Sequence, residues 1–266
     1  MRDKHSVALI QHYWGKFQNY FPLWLKSAGF NKNFDFLIFT DIDSSIYNVP
    51  ENVHFIYMTF DEFKARIAKY LDFEFICDTP YKGCDYILMY GLMFQDYLQD
   101  YEFWGHVDPD IIWGDMSKFI TPEILDKYDR FYRHGHLQFF RNTDKARIFV
   151  LNKLPGCSIS YRDIYKIHGH AFFEERMLAT ELFSNFGDGG GGQYYNLDFA
   201  DVFSEYKEFR ITKKISEVIP AFKWQNGHVL GVGNIGELSS NYEFLYVHLQ
   251  KRVMKFTPDL RIKTLF

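Results

Sequence analysis

Apolar runs alternate with amphipathic segments through the first 115 residues, and each kind of segment predicts a different element. Residues 6–15, 34–43 and 52–60 are apolar and aromatic runs that predict three buried strands. Residues 19–30 carry apolar side chains at helical spacing and predict a helix that ends at Gly29. Residues 59–73 also carry apolar side chains at helical spacing and predict a second helix, with Thr59 as its N-cap. Residues 80–101 predict one long helix, which leads into a fourth strand within residues 102–115.

This order of elements predicts an α/β fold with a mixed, mostly parallel sheet flanked by helices. The second half of the chain is less regular. Residues 135–143 predict a strand, residues 171–183 a helix, residues 187–196 a loop because of four consecutive glycines, and residues 243–256 a late strand. Because no repeat or linker divides the chain, we expect a single domain over residues 1–266.

Polar residues stand at the ends of three of these predicted strands. They are Gln11 to Trp14, Asp41 to Asp43, and Asp108 with Asp110. Ligands of parallel sheets bind outside the carboxyl ends of the strands. We therefore expect these polar residues to converge on one crevice.

The sequence FWGHVDPDIIWGD at residues 103–115 places two aspartates at the end of the fourth strand. Side chains two residues apart in an extended segment point to the same side, so Asp108 and Asp110 present both carboxylates to one point. Carboxylates this close repel each other unless a cation lies between them. Because Mg²⁺ and Mn²⁺ prefer oxygen ligands, the pair predicts a divalent-cation site. An ordinary loop in which an aspartate caps a turn is the alternative.

Composition narrows the classes of partner. A formal net charge of −4 offers no basic surface, so we expect no nucleic-acid partner. Aromatic residues make up 20% of the chain, which fits either an A+T-rich coding sequence or a cleft lined with rings. No apolar run reaches the ~18 residues of a membrane span. The start shows no signal-peptide pattern and the three cysteines fit no zinc motif, so we expect a cytoplasmic protein.

Three sequence blocks together resemble a known family. PYKGCDY, FWGHVDPDIIWGD and YVHLQKR, in this order, are similar to segments of GT-A-fold glycosyltransferases. They are most similar to a bacterial group found with polysaccharide biosynthesis, some members of which are similar to galactofuranosyltransferases. The resemblance spans residues 10–252 and is weak between residues 145 and 235. It implies a GT-A-like, Rossmann-like fold, with a nucleotide-sugar-binding half at residues 1–120 and an acceptor half at residues 121–266 that carries a C-terminal metal and diphosphate segment.

The resemblance also implies roles for single residues. Asp108, Asp110 and His248 would hold Mn²⁺ or Mg²⁺ at the donor diphosphate, and Asp108 would also face the donor. Arginine and lysine are suited to phosphate, so Lys251 and Arg252 would bind the diphosphate. The remaining candidate donor contacts are Gln11, Tyr13, Trp14, Asp41, Lys82 and Asp85.

The catalytic base is the least defined of these roles. An inverting transferase needs a base that takes the proton of the acceptor hydroxyl, and AFFEER offers Glu174 and Glu175, with Glu175 preferred. The group carries an Asp-Glu pair here, so the Glu-Glu pair departs from its pattern. A retaining mechanism needs no such base.

The histidines suggest an alternative metal site, because the pattern H-x-H occurs at residues 134–136 and 168–170. Two imidazoles on one side of a strand suit zinc or iron, and with Asp108 they would build a metallohydrolase or an oxygenase. No further ligand spacing supports that centre. We expect instead that His134 and His136 lie beside the crevice and contact the acceptor or the donor sugar.

The function predicted is metal-dependent transfer of a sugar from a UDP-sugar to a cell-surface glycan. A lipid-linked acceptor would lie at the inner face of the cytoplasmic membrane, with at most peripheral association of the protein. Two alternatives use the same residues. One is a non-catalytic carbohydrate- or nucleotide-binding protein, and the other is a metal-dependent phosphodiesterase or other hydrolase.

Overall fold

The computed structural model describes residues 5–151, 160–173, 193–194, 199–202, 209–211, 214–219, 221–233 and 242–250. The strands in these ranges are β1 (Val7–His12), β2 (Phe34–Thr40), β3 (Val53–Tyr57), β4 (Phe103–Val107), β5 (Ile111–Trp113), β6 (Arg130–His134), β7 (Leu137–Arg141), β8 (Gln193–Tyr194), β9 (Ala200–Val202), β10 (Phe209–Ile211), β11 (Lys214–Val218), β12 (Ala221–Gln225), β13 (His228–Val232), β14 (Glu243–Phe244) and β15 (Tyr246–His248). The α-helices are α1 (Phe21–Gly29), α2 (Phe60–Ala68), α3 (Tyr90–Met93), α4 (Pro122–Lys127), α5 (Asp144–Ile148) and α6 (Tyr161–Ile164). Short 3₁₀ helices cover Ser44–Ile46, Lys82–Met89, Met116–Lys118 and Phe149–Leu151.

A seven-stranded sheet in the order β3-β2-β1-β4-β7-β6-β8 forms the centre of the fold. β1 pairs in parallel with β2 and β4, and β2 pairs in parallel with β3. β7 runs antiparallel to β4 and β6, whereas β8 is parallel to β6. The prediction of an α/β fold with a mixed, mostly parallel sheet is confirmed for this sheet.

Alternating side chains of the buried strands supply a core on each face of the sheet. Ala8 and Ile10 of β1 belong to one core cluster, together with Phe63 of α2. Val7 and Leu9 belong to the other cluster, which α1 covers. Because successive strand residues point to opposite faces, a strand buried on both sides reads as a continuous apolar run. This is why the first strands were recognisable in the sequence.

The two helices predicted from end signals form as expected. α1 ends at Gly29, and its N-terminal turn holds a proline, which needs no hydrogen-bond acceptor there. Thr59 caps α2 through a capping box, in which its side chain accepts from the Glu62 backbone and Glu62 accepts from the Thr59 backbone. At Gly105 of β4, a Cβ atom would lie 2.1 Å from the backbone oxygen of Gln138. Glycine there lets β7 approach β4.

A second sheet, in the order β11-β10-β9-β15-β5, was not expected from the sequence. β5 follows the two aspartates out of the central sheet and pairs antiparallel with β15, placing His248 opposite Ile111. β15 also pairs in parallel with β9. A third sheet joins β12, β13 and β14. The prediction of one late strand over residues 243–256 is corrected to β14 and β15, with residues 251–256 outside the described ranges.

The long helix predicted over residues 80–101 is wrong. The segment forms a 3₁₀ helix over Lys82–Met89 followed by the single turn of α3. A Cβ atom at Gly83 would lie 2.9 Å from the ring of His12, and one at Gly91 would lie 2.5 Å from the ring of Trp104. Tertiary packing therefore fixes this segment, and glycine lowers its intrinsic preference for an α-helix.

Two other predictions meet the described ranges only in part. Gln193 and Tyr194, inside the predicted loop at residues 187–196, form β8 because they pair with β6. The rest of that loop, and the predicted helix after Phe173, lie outside the described residues. None of the helices that the structure describes is both long and apolar enough to cross a membrane.

Candidate functional site

A cavity of about 580 Å³ opens at the carboxyl ends of β1 and β4. Residues 11–14 continue from β1 into its wall, and residues 106–110 do so from β4. The 3₁₀ helix at Lys82–Met89 and the hairpin turn between β6 and β7 add further wall, as do residues near 170 and 248. The expected crevice therefore forms at two of the three strand ends, and Asp41 at the end of β2 is exposed and does not line it.

Asp108, Asp110 and His248 meet in this cavity. Nε2 of His248 lies 3.4 Å from Oδ1 of Asp110 and 4.0 Å from Oδ2 of Asp108. Asp110 is 1% exposed, whereas the side chain of Asp108 is 31% exposed. One ligand atom from each residue lies within 4.8 Å of the other two. The sequence-predicted ligand set is therefore brought together, with its most open carboxylate at Asp108.

Pairing of the second sheet holds the three residues in place. The backbone N–H of Leu249 donates to the carbonyl of Asp110 at 2.7 Å, beside the ladder between β5 and β15. The indole of Trp24 donates to the carbonyl of Asp108 at 3.2 Å. The backbone N–H of Asp108 donates to the carbonyl of His136 at 3.1 Å. Hydrogen bonds to the backbone of Asp108 and Asp110 thus fix the turn that carries both aspartates.

Asp201 of β9 is a fourth member of the cluster, and reasoning from the sequence missed it. Nδ1 of His248 donates to Oδ1 of Asp201 at 3.0 Å, so Nε2 is the nitrogen that faces Asp108 and Asp110. Gln250 also donates to Asp201, at 3.0 Å. A carboxylate that holds the far nitrogen of a ligand histidine fixes its tautomer and orientation. The only signal in the sequence was an acid within the apolar run at residues 199–203.

The carboxylates create a strongly negative environment. Burial lowers the pKa of His248, but hydrogen bonds to Asp110 and Asp201 and the charges of both raise it to about 10. The pKa of the Tyr20 phenol is also raised, first by burial and then by the negative charge of Asp110. A positive charge is therefore favoured at this point of the cavity, either as an imidazolium or as a metal ion.

His136 belongs to a second possible ligand group, with Asp201 and His248. Its ring stacks on His248 with centroids 4.2 Å apart, and its Nε2 lies 2.8 Å from the Tyr246 hydroxyl. Burial, followed by the charge of His248, lowers the pKa of His136 well below its usual value. His136 lines the cavity, as expected. The ring of His134 stacks on the ring of His136, with centroids 5.1 Å apart, but His134 does not line the cavity.

The second H-x-H does not gather its imidazoles at one point. His168 pairs with Asp78 at 2.9 Å, whereas His170 lies on the cavity 3.6 Å from Asp85. Neither belongs to a candidate metal group among the described residues.

The end of β1 offers polar and aromatic groups to the cavity. Gln11 is 2% exposed, and within the described part of the chain neither atom of its amide has a hydrogen-bond partner. A buried amide without partners is costly, so this one is suited to a ligand. The hydroxyl of Tyr13 and the indole N–H of Trp14 donate to backbone carbonyls, and both residues line the cavity.

Lys82 and Asp85 differ from the expected donor contacts. Both are fully buried, and neither lines the cavity. Lys82 donates to Asp85 at 2.8 Å and to the carbonyl of Ile164 at 3.0 Å, and Asp85 accepts from the backbone N–H of Ala171 and Phe173. Their charges neutralise each other and tie residues 164–173 to the 3₁₀ helix. The correction follows from burial, which the sequence did not reveal.

Four predicted site residues lie outside the described residues: Glu174, Glu175, Lys251 and Arg252. Their predicted roles as base and diphosphate ligands stay predictions.

The fold and the cavity define a mixed α/β protein with a carboxylate–histidine cluster at the carboxyl end of its sheet. The chain belongs to a family of unknown function, DUF6625, whose model matches residues 9–265. No curated protein and no solved structure matches the chain.

Proposed function

We propose that this protein is a metal-dependent glycosyltransferase of the GT-A type, which transfers a sugar from a nucleotide donor, a UDP-sugar, to a cell-surface glycan. One observation carries the proposal. Asp108, Asp110 and His248, from distant parts of the chain, meet in a cavity at the carboxyl end of β4. The acceptor is either a free glycan or a glycan that is lipid-linked at the inner face of the cytoplasmic membrane.

The sheet supports this proposal. β3, β2, β1 and β4 are parallel neighbours, and the D-x-D sequence follows β4 directly. Nucleotides bind at the carboxyl ends of strands in open parallel sheets. The rings of Tyr13 and Trp14 suit stacking on a base, and the buried amide of Gln11 suits hydrogen bonds to the edge of a base.

The ligand set suits Mn²⁺ or Mg²⁺. Two carboxylates and one imidazole within 4.8 Å of one another form the oxygen-rich donor set of a hard or borderline divalent cation. When bound, such an ion offsets the negative charge that develops on the departing nucleoside diphosphate. Asp108, partly exposed, would face the donor, Asp201 orients His248, and Glu175 or Glu174 would take the proton of the acceptor.

The test is release of nucleoside diphosphate from a panel of nucleotide sugars with and without Mn²⁺, using lipid-linked and free glycans as acceptors. We expect one donor to be used, and Asp110→Asn and His248→Ala to abolish its use. Asp115→Asn is the matched control, because Asp115 caps the 3₁₀ helix at Met116–Lys118 and does not line the cavity. Equal activity of wild type and Asp110→Asn would contradict the proposal.

The same assay separates the two alternatives. A metal-dependent phosphodiesterase is the second candidate, because the same acids and histidines, with His136 and Asp201 beside His248, offer ligands to a metal ion. Such an enzyme releases nucleoside monophosphate. A non-catalytic binding protein is stabilised by the donor and releases neither product.

A further inference from the structure

Three aromatic side chains form a platform on the wall of the cavity: His170, and Tyr81 and Phe172, which both contact it. The ring of His170 lies 4.6 Å from that of Tyr81 and 4.2 Å from that of Phe172. All three residues line the cavity. Tyr81 is 48% exposed and Phe172 is 44% exposed, so two large side chains face solvent in the cavity that Asp108, Asp110 and His248 also line.

The backbone of Phe172 is strained. Its φ is +56°, a left-handed conformation that bulky residues seldom adopt. Strain of this kind persists only where the surroundings enforce it, and it concentrates at functional sites. Exposure adds to the cost, because the ring of Phe172 gains little from the hydrophobic core.

A buried ion pair enforces this conformation. Asp85 accepts from the N–H of Ala171 at 2.9 Å and from the N–H of Phe173 at 3.0 Å, so it clamps the residues on both sides of Phe172. Lys82 neutralises Asp85 at 2.8 Å, and both side chains are fully buried. Burying an ion pair is itself costly. Two unfavourable features thus combine to hold one aromatic ring outward.

The chemistry of the platform fits a sugar ring. A pyranose has an apolar C–H face that packs on aromatic rings and a rim of hydroxyl groups that needs polar partners. Tyr81 and Phe172 offer the rings, and the imidazole of His170 lies between them. The unpartnered amide of Gln11 and the rings at the end of β1 already offer a place for the nucleotide, which leaves the platform for another part of the substrates.

We infer that Tyr81, His170 and Phe172 form the acceptor subsite, which binds a pyranose ring of the glycan by stacking. The assignment to the acceptor rests on the proposed function, whereas binding of a sugar ring does not. Phe172 also lies two positions before Glu174 in the sequence, next to the predicted bases.

The test measures binding of methyl pyranosides and of α- and β-linked disaccharides by saturation-transfer NMR. We expect Phe172→Gly to bind the preferred saccharide about 2- to 13-fold more weakly, which corresponds to the loss of one ring contact. Its midpoint of thermal unfolding should stay equal or rise, because glycine adopts a positive φ readily. Phe172→Trp should retain binding, and Tyr57→Ala, which removes a 73% exposed ring outside the cavity, should change nothing.

Three results would overturn the inference. One is unchanged saccharide binding by Phe172→Gly. Another is clear destabilisation of that variant, which would make Phe172 a structural residue. The third is a wild type that binds no saccharide although it binds nucleotide with Mn²⁺. If the protein bound a saccharide through Phe172 but bound no nucleotide, the platform would still be a sugar-binding site, and the proposed glycosyltransferase function would be contradicted.

Discussion

Removing the charge of Asp85 tests whether the buried ion pair anchors the cavity wall. Asp85→Asn keeps the size of the side chain but leaves the ammonium group of Lys82 buried without a counter-charge. In the native chain Asp85 accepts from Lys82 at 2.8 Å and from two backbone N–H groups at 2.9 and 3.0 Å. Both side chains are 0% exposed, so water cannot compensate for the loss.

The expected loss is large. Breaking a buried ion pair by removing one partner costs about 3–5 kcal/mol in the free energy of unfolding. For a chain of this length, each kcal/mol lowers the midpoint of thermal unfolding by about 2–4 °C, so we expect a decrease of about 6–20 °C. Scanning calorimetry measures it, with urea unfolding as a second assay.

A double-mutant cycle completes the test. Lys82→Met should also destabilise the protein, because it leaves the carboxylate of Asp85 without its cation. The double variant Lys82→Met with Asp85→Asn should lose less than the sum of the two single variants, since no uncompensated charge stays buried. A loss below about 1 kcal/mol in Asp85→Asn, or strict additivity, would refute the buried-pair account.

Three further predictions concern the cavity. Asp201→Asn should weaken Mn²⁺ binding about 10- to 100-fold in a calorimetric titration, because Asp201 orients His248. The control Asp43→Asn should leave Mn²⁺ affinity unchanged, because Asp43 is exposed and its side chain accepts hydrogen bonds from Ser45. Equal Mn²⁺ affinities of Asp201→Asn and wild type would contradict the role of Asp201. Burial lowers the pKa of His12 to about 4, so the unfolded chain, with a histidine pKa near 6.5, takes up a proton that the folded chain does not. The stability that this histidine contributes is full above about pH 6.5 and is lost as the pH falls towards 4. In urea unfolding, the free energy of unfolding should therefore fall less between about pH 7 and about pH 4.5 for His12→Gln than for wild type. An equal fall in both proteins would contradict the role of His12. Asp41→Asn should leave stabilisation by nucleotide unchanged, because Asp41 does not line the cavity, and a loss of that stabilisation would show a donor contact.

Local signals in the sequence explain which elements were predictable. β1 to β4 read as apolar runs because both faces of the sheet are covered, and α2 was recognisable from its helical spacing behind Thr59, which does cap it. The segment at residues 80–101 has the same apolar character. Its conformation depends on contacts of Gly83 with His12 and of Gly91 with Trp104, and no local pattern encodes such distant contacts.

The residues of the site also differ in how far the sequence could predict them. Asp108 and Asp110 were predictable as a pair because they follow the strand two residues apart, although they lie in a turn and not in an extended segment. His248 was expected only from the resemblance, and Asp201 not at all, because its place beside His248 depends on the parallel pairing of β9 with β15. Lys82 was expected as a donor contact only from the resemblance, whereas tertiary packing buries it completely.

Thermal unfolding with UDP, in the presence and absence of Mn²⁺, tests the central claim most directly. A ligand at a hundredfold excess over its Kd stabilises the folded state by about 2.7 kcal/mol, which raises the midpoint by about 5–11 °C. The proposal predicts such a rise for wild type only when UDP and Mn²⁺ are both present, and its loss in Asp110→Asn. No rise with any nucleoside diphosphate, or an equal rise in Asp110→Asn, would contradict a metal-dependent nucleotide site at Asp108, Asp110 and His248.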